Sequence, residues 1–129
     1  MRMYFWIGLG SALGGMARYW LSGLIAGRYG DTFPWGTLIV NATGSFLIGL
    51  IAGATPTEGR TLIGPTMKQF LMLGVLGGYT TFSSFSLQTL NLAMEGGWFR
   101  SGLNVILSVA ACLVAVWLGY AAGSLISQT

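Results

Sequence analysis

Gly77-Gly-Tyr-Thr-Thr-Phe-Ser-Ser-Phe-Ser86 lies in the middle of a long apolar segment. Two adjacent glycines and five Ser/Thr hydroxyls weaken a helix there. They also supply carbonyls, hydroxyls and two aromatic rings where hydrocarbon would supply nothing. Non-helical backbone at membrane depth is tolerated only where protein buries it or a water-filled cavity receives it. The decapeptide therefore predicts a membrane helix broken near its middle, with a site at the break.

The rest of the chain is membrane material. Of 129 residues, 53% are hydrophobic and 7% charged, with mean hydropathy +0.70. A soluble domain carries about 25% charged residues. The 21 glycines favour close helix packing in lipid. The single Cys112 offers no disulfide framework, and with no His a zinc or haem site is disfavoured. The net charge of +3 comes with no basic run, so nothing points to nucleic acid. The N-terminus reads as a first span rather than a cleaved signal, because Arg18 interrupts its apolar stretch and another membrane-compatible run follows.

Working outward from the decapeptide, four segments of about 20 residues or more are long enough to cross a hydrocarbon core: 3–26, 35–54, 68–93 and 101–126. Turn and cap residues separate them: Arg28, Gly30, Asp31 and Pro34; then Pro56, Glu58, Gly59, Arg60 and Pro65; then Glu95, Gly96, Gly97 and Arg100. No internal repeat or linker divides the chain, so one domain over residues 1–129 is expected, all-α, with four transmembrane helices. Tyr29, Phe33, Trp35, Trp98 and Phe99 mark one membrane interface and Tyr4, Phe5 and Trp6 the other. Gly10/Gly14, Gly23/Gly27 and Gly49/Gly53 are each spaced for helix packing.

Charge does not settle orientation. With four spans, Arg2, Arg60 and Lys68 fall on one side and Arg28 and Arg100 on the other, so the positive-inside rule finds almost no bias. Such a chain can insert both ways up, and two copies can then pair antiparallel, making by dimerisation the inverted symmetry of larger transporters. Uncertain loop edges would produce the same count, and charge alone leaves the two open.

The polar residues within the spans favour an anion. All three acids, Asp31, Glu58 and Glu95, lie in connections, which argues against proton coupling and against an acid-lined cation path. Arg18 is the only charge deep in a span. It is either a vestibule charge or a snorkelling side chain, and its eight or nine residues from the segment end make snorkelling a stretch. Thr37, Asn41 and Ser45 share one helix face, and the Asn41 amide donates either to a partner helix or to a ligand. Asn104, Ser108 and Cys112 form a second stripe on the last span, where packing of small residues is the commoner meaning. Phe82 and Phe85 project from nearly one face. They are either ordinary packing or a pair of positively polarised ring edges that meets an anion without trapping it.

These residues resemble the Fluc/CrcB fluoride channels. Gly77 to Ser86 matches that family's G-G-[LF]-T-T-F-S-T-F-S signature, and Gly36-Thr-Leu-Ile-Val-Asn41 its G-T-L-x-x-N box. Gly14 and Arg18 in the first span, the chain length and the four spans agree. The resemblance implies a passive, fluoride-selective export channel of the plasma membrane, with no enzymatic activity, working as a dual-topology antiparallel homodimer with lipid around it. It implies a fluoride path lined by Phe82, Phe85, Asn41, Ser108, Asn104 and Cys112, and a structural Na⁺ held by the backbone carbonyls of Gly77 and Thr80. Arg18 matches the family's first-span arginine. The sequence departs from the pattern at Tyr79, where Leu or Phe is usual, and at Cys112 and Asn104, where other members often carry Ser and an aromatic residue.

The expected mechanism follows. Fluoride enters a wet vestibule and exchanges its water for donors from Asn41, Thr80, Thr81, Ser83 and Ser84. It then passes the edges of Phe82 and Phe85, driven by gradient and potential, with no ATP-binding G-x-x-x-x-G-K-[ST] motif present. The rival reading is a small multidrug or guanidinium exporter. That class relies on a carboxylate in the first span, and none occurs between Met3 and Ala26. A non-transporting structural subunit ranks third.

Overall fold

The computed structural model describes residues 1–55 and 63–128. Pro56, Glu58, Gly59 and Arg60 of the second connection, and with them part of the charge count, lie outside the described residues. Helix accounts for nearly all of the rest, and no strand occurs among the described residues.

Helix α1 (Arg2–Tyr29) stops at Gly30, whose φ of 78° suits a residue without Cβ and whose N–H closes on the Ala26 carbonyl at 2.8 Å. Helix α2 (Trp35–Ala54) has the bounds its sequence suggested. The Lys68 Nζ donates to the Thr55 carbonyl at 2.9 Å, placing a cation where the helix dipole is negative. Helix α3 (Pro65–Gln69) opens on a proline, which loses nothing in a first turn. It runs into a π-helical stretch, Phe70–Leu76, and then a short helix α4 (Gly77–Tyr79). Thr80 and Thr81 are extended, with ψ 156° and φ −152°, and the chain resumes as α5 (Phe82–Met94). Gly96 and Gly97 end α5 by donating to the Ala93 and Leu92 carbonyls, a Schellman closure that turns the chain into α6 (Trp98–Gln128).

The third stretch is broken as expected, but not at the glycines. Gly77 and Gly78 stay helical, and the chain leaves the helix at Thr80 and Thr81. Glycine permits a break without forcing one. Here Gly78 serves close approach, since a Cβ on it would strike the Ser11 backbone of α1. Gly10 and Gly14 receive the same stretch from the other side, meeting backbone at Gly74, Val75 and Tyr79.

The largest packed surface joins α2 to α6. Gly49 and Gly53 abut the Val116 and Tyr120 carbonyls, while Gly119 and Gly123 abut those of Phe46 and Leu50, so each helix is notched for the other. Gly23 and Gly27 do not fit the expected packing role: among the described residues a Cβ on either would meet nothing within 4 Å, and Gly23 instead lines the larger cavity described below. Few side chains are buried among the described residues, Val40 and Asn104 being the largest that are nearly inaccessible, and many large apolar ones such as Trp117, Leu113 and Ile106 face outward. That distribution suits a lipid solvent. Among the described residues three helical stretches are long and apolar enough to cross a membrane: Trp35–Ala54, Pro65–Met94 and Trp98–Gln128. Helix α1 has the length, 28 residues, but its arginines and small residues dilute its apolarity.

Candidate functional site at the helix break

A single side chain makes the break. The Asn41 carboxamide on α2 faces the Thr81 peptide edge on. Its Oδ1 accepts from the Thr81 N–H at 2.7 Å and its Nδ2 donates to the Thr81 carbonyl at 2.9 Å. An extended peptide at membrane depth would otherwise leave two costly unpaired groups. Thr81 then caps α5: its Oγ1 accepts from the Ser84 N–H at 3.2 Å and donates to the Ser84 hydroxyl at 3.1 Å.

The clamp and the cap redirect two N–H groups that an unbroken helix would give to carbonyls. Thr81 N–H would serve the Gly77 carbonyl in an unbroken helix but goes to Asn41. Ser84 N–H would serve Thr80 but goes to Thr81 Oγ1. Gly77 and Thr80 thus present neutral oxygens, the donor set a hard cation such as Na⁺ accepts. No group of three or more His, Cys, Asp or Glu stands close enough to hold a metal among the described residues.

Two cavities meet at Thr81, which lines both. One, of about 870 Å³, is bordered by Arg18, Ser22, Thr37, Ser84 and Gln88, with Asp31 and Glu95 also on its wall. Arg18 forms no ion pair among the described residues, so its guanidinium is free to serve this space. The other, of about 460 Å³, is walled by Asn41, Ser45, Gly77, Thr80, Phe82, Phe85, Ser108 and Cys112. The two rings lie 5.2 Å apart, tilted by 52°. Phe85 is 8% exposed and Phe82 77%, so one ring is fixed in the chain while the other stands at its edge.

The structure gathers most of the expected residues, but their protons tell a different story. Thr80 donates to the Leu76 carbonyl at 2.9 Å and Ser86 to that of Phe82 at 2.9 Å. Thr81 donates to Ser84. With the Thr81 proton spent on Ser84, Ser83 donates to Thr81 Oγ1 at 3.3 Å, at the exposed side and outside both cavities, so of the five hydroxyls only Ser84 keeps a free proton. Ser84 opens on the larger cavity. In the smaller one, the available donors are the second N–H of Asn41 and the Ser45 hydroxyl, which no hydrogen bond within the described chain engages. Asn104 borders neither cavity; it is 1% exposed and holds α6 to α5.

Gln88 escaped the sequence, and the parts played by Thr37, Ser45 and Tyr79 were only half visible in it. Gln88 lines the larger cavity with its Oε1 buried and unpartnered, and nothing in its own spacing marks it. Thr37 and Ser45 were visible as a stripe with Asn41, yet the stripe did not say that it crosses from one cavity to the other. Tyr79 donates its hydroxyl to Thr43 Oγ1 at 2.8 Å, because the Thr43 proton is spent on the Ile39 carbonyl, and its ring rests on Gly44. The departure from Leu or Phe at this position thus adds a tie between α4 and α2.

A long-helix membrane protein with a clamped break and two adjoining cavities is the class these features define. Residues 5–120 match the family model of the CrcB-like protein, Camphor Resistance (CrcB), and the chain belongs to that family. It is 61% identical over 122 residues to the fluoride-specific ion channel FluC of Opitutus terrae, covering 95% of this chain and 92% of that one. It is 54% identical over 125 residues to the protein of the same name in Rhodospirillum rubrum, covering 97% of each. It is 53% identical over 125 residues to that of Methylocella silvestris, covering 97% and 95%.

Proposed function

We propose that this chain is a multi-pass fluoride channel of the cell membrane, passive and not an enzyme. One observation carries the reading: the Asn41–Thr81 clamp opens the third stretch where the two cavities adjoin, one holding an unpaired arginine and the other two phenylalanine rings. Relatives matched over more than nine-tenths of both chains carry the fluoride-channel name.

The larger cavity acts as the vestibule. Arg18 raises the local anion concentration there, and Ser84 replaces the first waters of the hydrated ion. At Thr81 the ion crosses a threshold whose own protons are engaged. Beyond it, the free Asn41 N–H, Ser45 and the ring edges of Phe82 and Phe85 take over, with Ser108 and Cys112 on the facing wall. Ring edges attract an anion weakly enough for it to leave. Thr80 and Thr81 shape this path through their backbone, and Asn104 supports it from behind.

Helix α1 completes a four-span bundle. The exposed Phe82 ring and the exposed Gly77 leave the smaller cavity open along one side, which supports an antiparallel pairing in which a second copy closes it. Na⁺ would be held by the Gly77 and Thr80 carbonyls, supplying a fixed positive charge beside the anion path.

Liposomes loaded with fluoride and carrying the purified chain test this. A fluoride electrode should register rapid efflux, with chloride retained. Phe82→Ile and Phe85→Ile should each slow efflux severely; unchanged efflux in both removes the ring-edge step, and fluoride-tight vesicles remove the function. One-sided reporters on the C-terminus should find both orientations, and a single orientation would end the antiparallel pairing.

A further inference from the structure

We infer that Asn104 sets how tightly the smaller cavity holds its anion, by keeping the Ser108 hydroxyl proton turned away from it. The inference rests on the channel reading above. Four groups form a directed chain. The Thr89 hydroxyl donates to the Phe85 carbonyl at 2.7 Å, so its oxygen is left to accept. Only the NH₂ end of Asn104 can supply that proton, and Nδ2 does so at 2.9 Å. The amide orientation is thereby fixed, with Oδ1 pointing to Ser108. Ser108 must then donate, and it does at 3.2 Å. Ser101 braces the far end by donating to the Thr89 carbonyl at 2.9 Å.

The consequence concerns the cavity wall. Ser108 borders the cavity, yet it shows an anion only oxygen lone pairs while its proton lies on Asn104. Its bond to Asn104 is the longest of the chain, well beyond the usual O–H···O length of about 2.7–2.8 Å. An arriving anion can take that proton by rotating the hydroxyl. Doing so leaves Oδ1 of a residue that is 1% exposed without a partner. That penalty returns the proton and loosens the ion, the compromise between entry and release that conduction demands. Asn104 is therefore a positioning residue that never touches the ion.

The test is initial fluoride efflux from proteoliposomes against internal fluoride concentration, giving a half-saturating concentration and a maximal rate. Asn104→Leu removes the acceptor, so half-saturation should fall about fivefold while the maximal rate also falls. Thr89→Val, nearly isosteric, frees the amide to turn and should shift half-saturation in the same direction; it decides the matter if Asn104→Leu does not fold. Ser108→Ala should raise half-saturation, and Asn104→Leu or Thr89→Val in that background should then shift nothing. Mere structural damage lowers the maximal rate with half-saturation unchanged. The inference is overturned if half-saturation stays put in Thr89→Val or Ser108→Ala, or if the shifts persist without Ser108. Wild-type vesicles that hold their fluoride would overturn the channel reading itself, a result distinct from saturable wild-type efflux with no shift.

Discussion

The α2–α6 seam and the broken third stretch are both built around glycine, and they use it differently. In the seam, Gly49, Gly53, Gly119 and Gly123 lie in unbroken helix and bring carbonyls of each helix onto the Cα atoms of the other. Around the break, Gly78 and Gly14 also buy only proximity. The break itself comes from a hydrogen-bonding amide on another helix. Rigidity in this fold is thus a matter of missing side chains, and the opening in it a matter of one polar side chain placed opposite two threonines.

Four substitutions press on that contrast. Gly119→Leu should have the largest effect, because even its Cβ would strike the Phe46 carbonyl. A loss of about 3 kcal/mol or more is expected, read as a collapse of the monodisperse peak in detergent gel filtration; a stable, well-folded variant would mean the seam is looser than its carbonyl contacts require. Asn41→Val comes next. It removes both bonds to the Thr81 peptide at nearly constant backbone geometry, at a cost of about 2–4 kcal/mol for two stranded buried groups. Fluoride efflux should fall to background while the seam stays intact; normal efflux would show that the glycines, not the amide, hold the break. Tyr79→Phe should cost about 0.6 kcal/mol, a typical hydrogen bond between membrane helices, seen as a small drop in thermal midpoint. A large drop would make Tyr79 a second clamp. Gly23→Ala should change stability by less than about 0.5 kcal/mol, since nothing stands within 4 Å of its added methyl. A large drop in thermal midpoint would mean that this part of the larger cavity's wall is more tightly filled than its open space implies.

Much of the architecture was legible in local sequence. Apolar run lengths and turn residues pointed to the long helical stretches, and the apolar run 35–54 coincides with α2, because Pro34 and Trp35 at one end and the loss of apolarity after Ala54 at the other are local signals. The place of the break was not legible. Gly77 and Gly78 carry the familiar punctuation, but Thr80 and Thr81 give way because of an amide forty residues earlier in the chain, and propensity does not report such a bond. The same limit explains the hydroxyls. Composition counts five; only geometry shows that Thr80, Thr81, Ser83 and Ser86 have already given away their protons. The Gly23/Gly27 pair shows the converse, a packing motif by spacing with nothing within 4 Å of a Cβ on either among the described residues, Gly23 bordering the larger cavity instead.

The π-helical stretch from Phe70 to Leu76 bears on how this protein can change length. Each of its wider turns stores about one residue more than an α-turn does. A surplus residue is therefore wound into the width of the helix instead of being looped out into lipid, where its amide would find no partner. Upstream and downstream faces keep their rotational phase, and Gly78 still arrives opposite Ser11. Here an insertion can be absorbed within an apolar membrane-spanning stretch, ahead of the break, where chain length is otherwise hard to change.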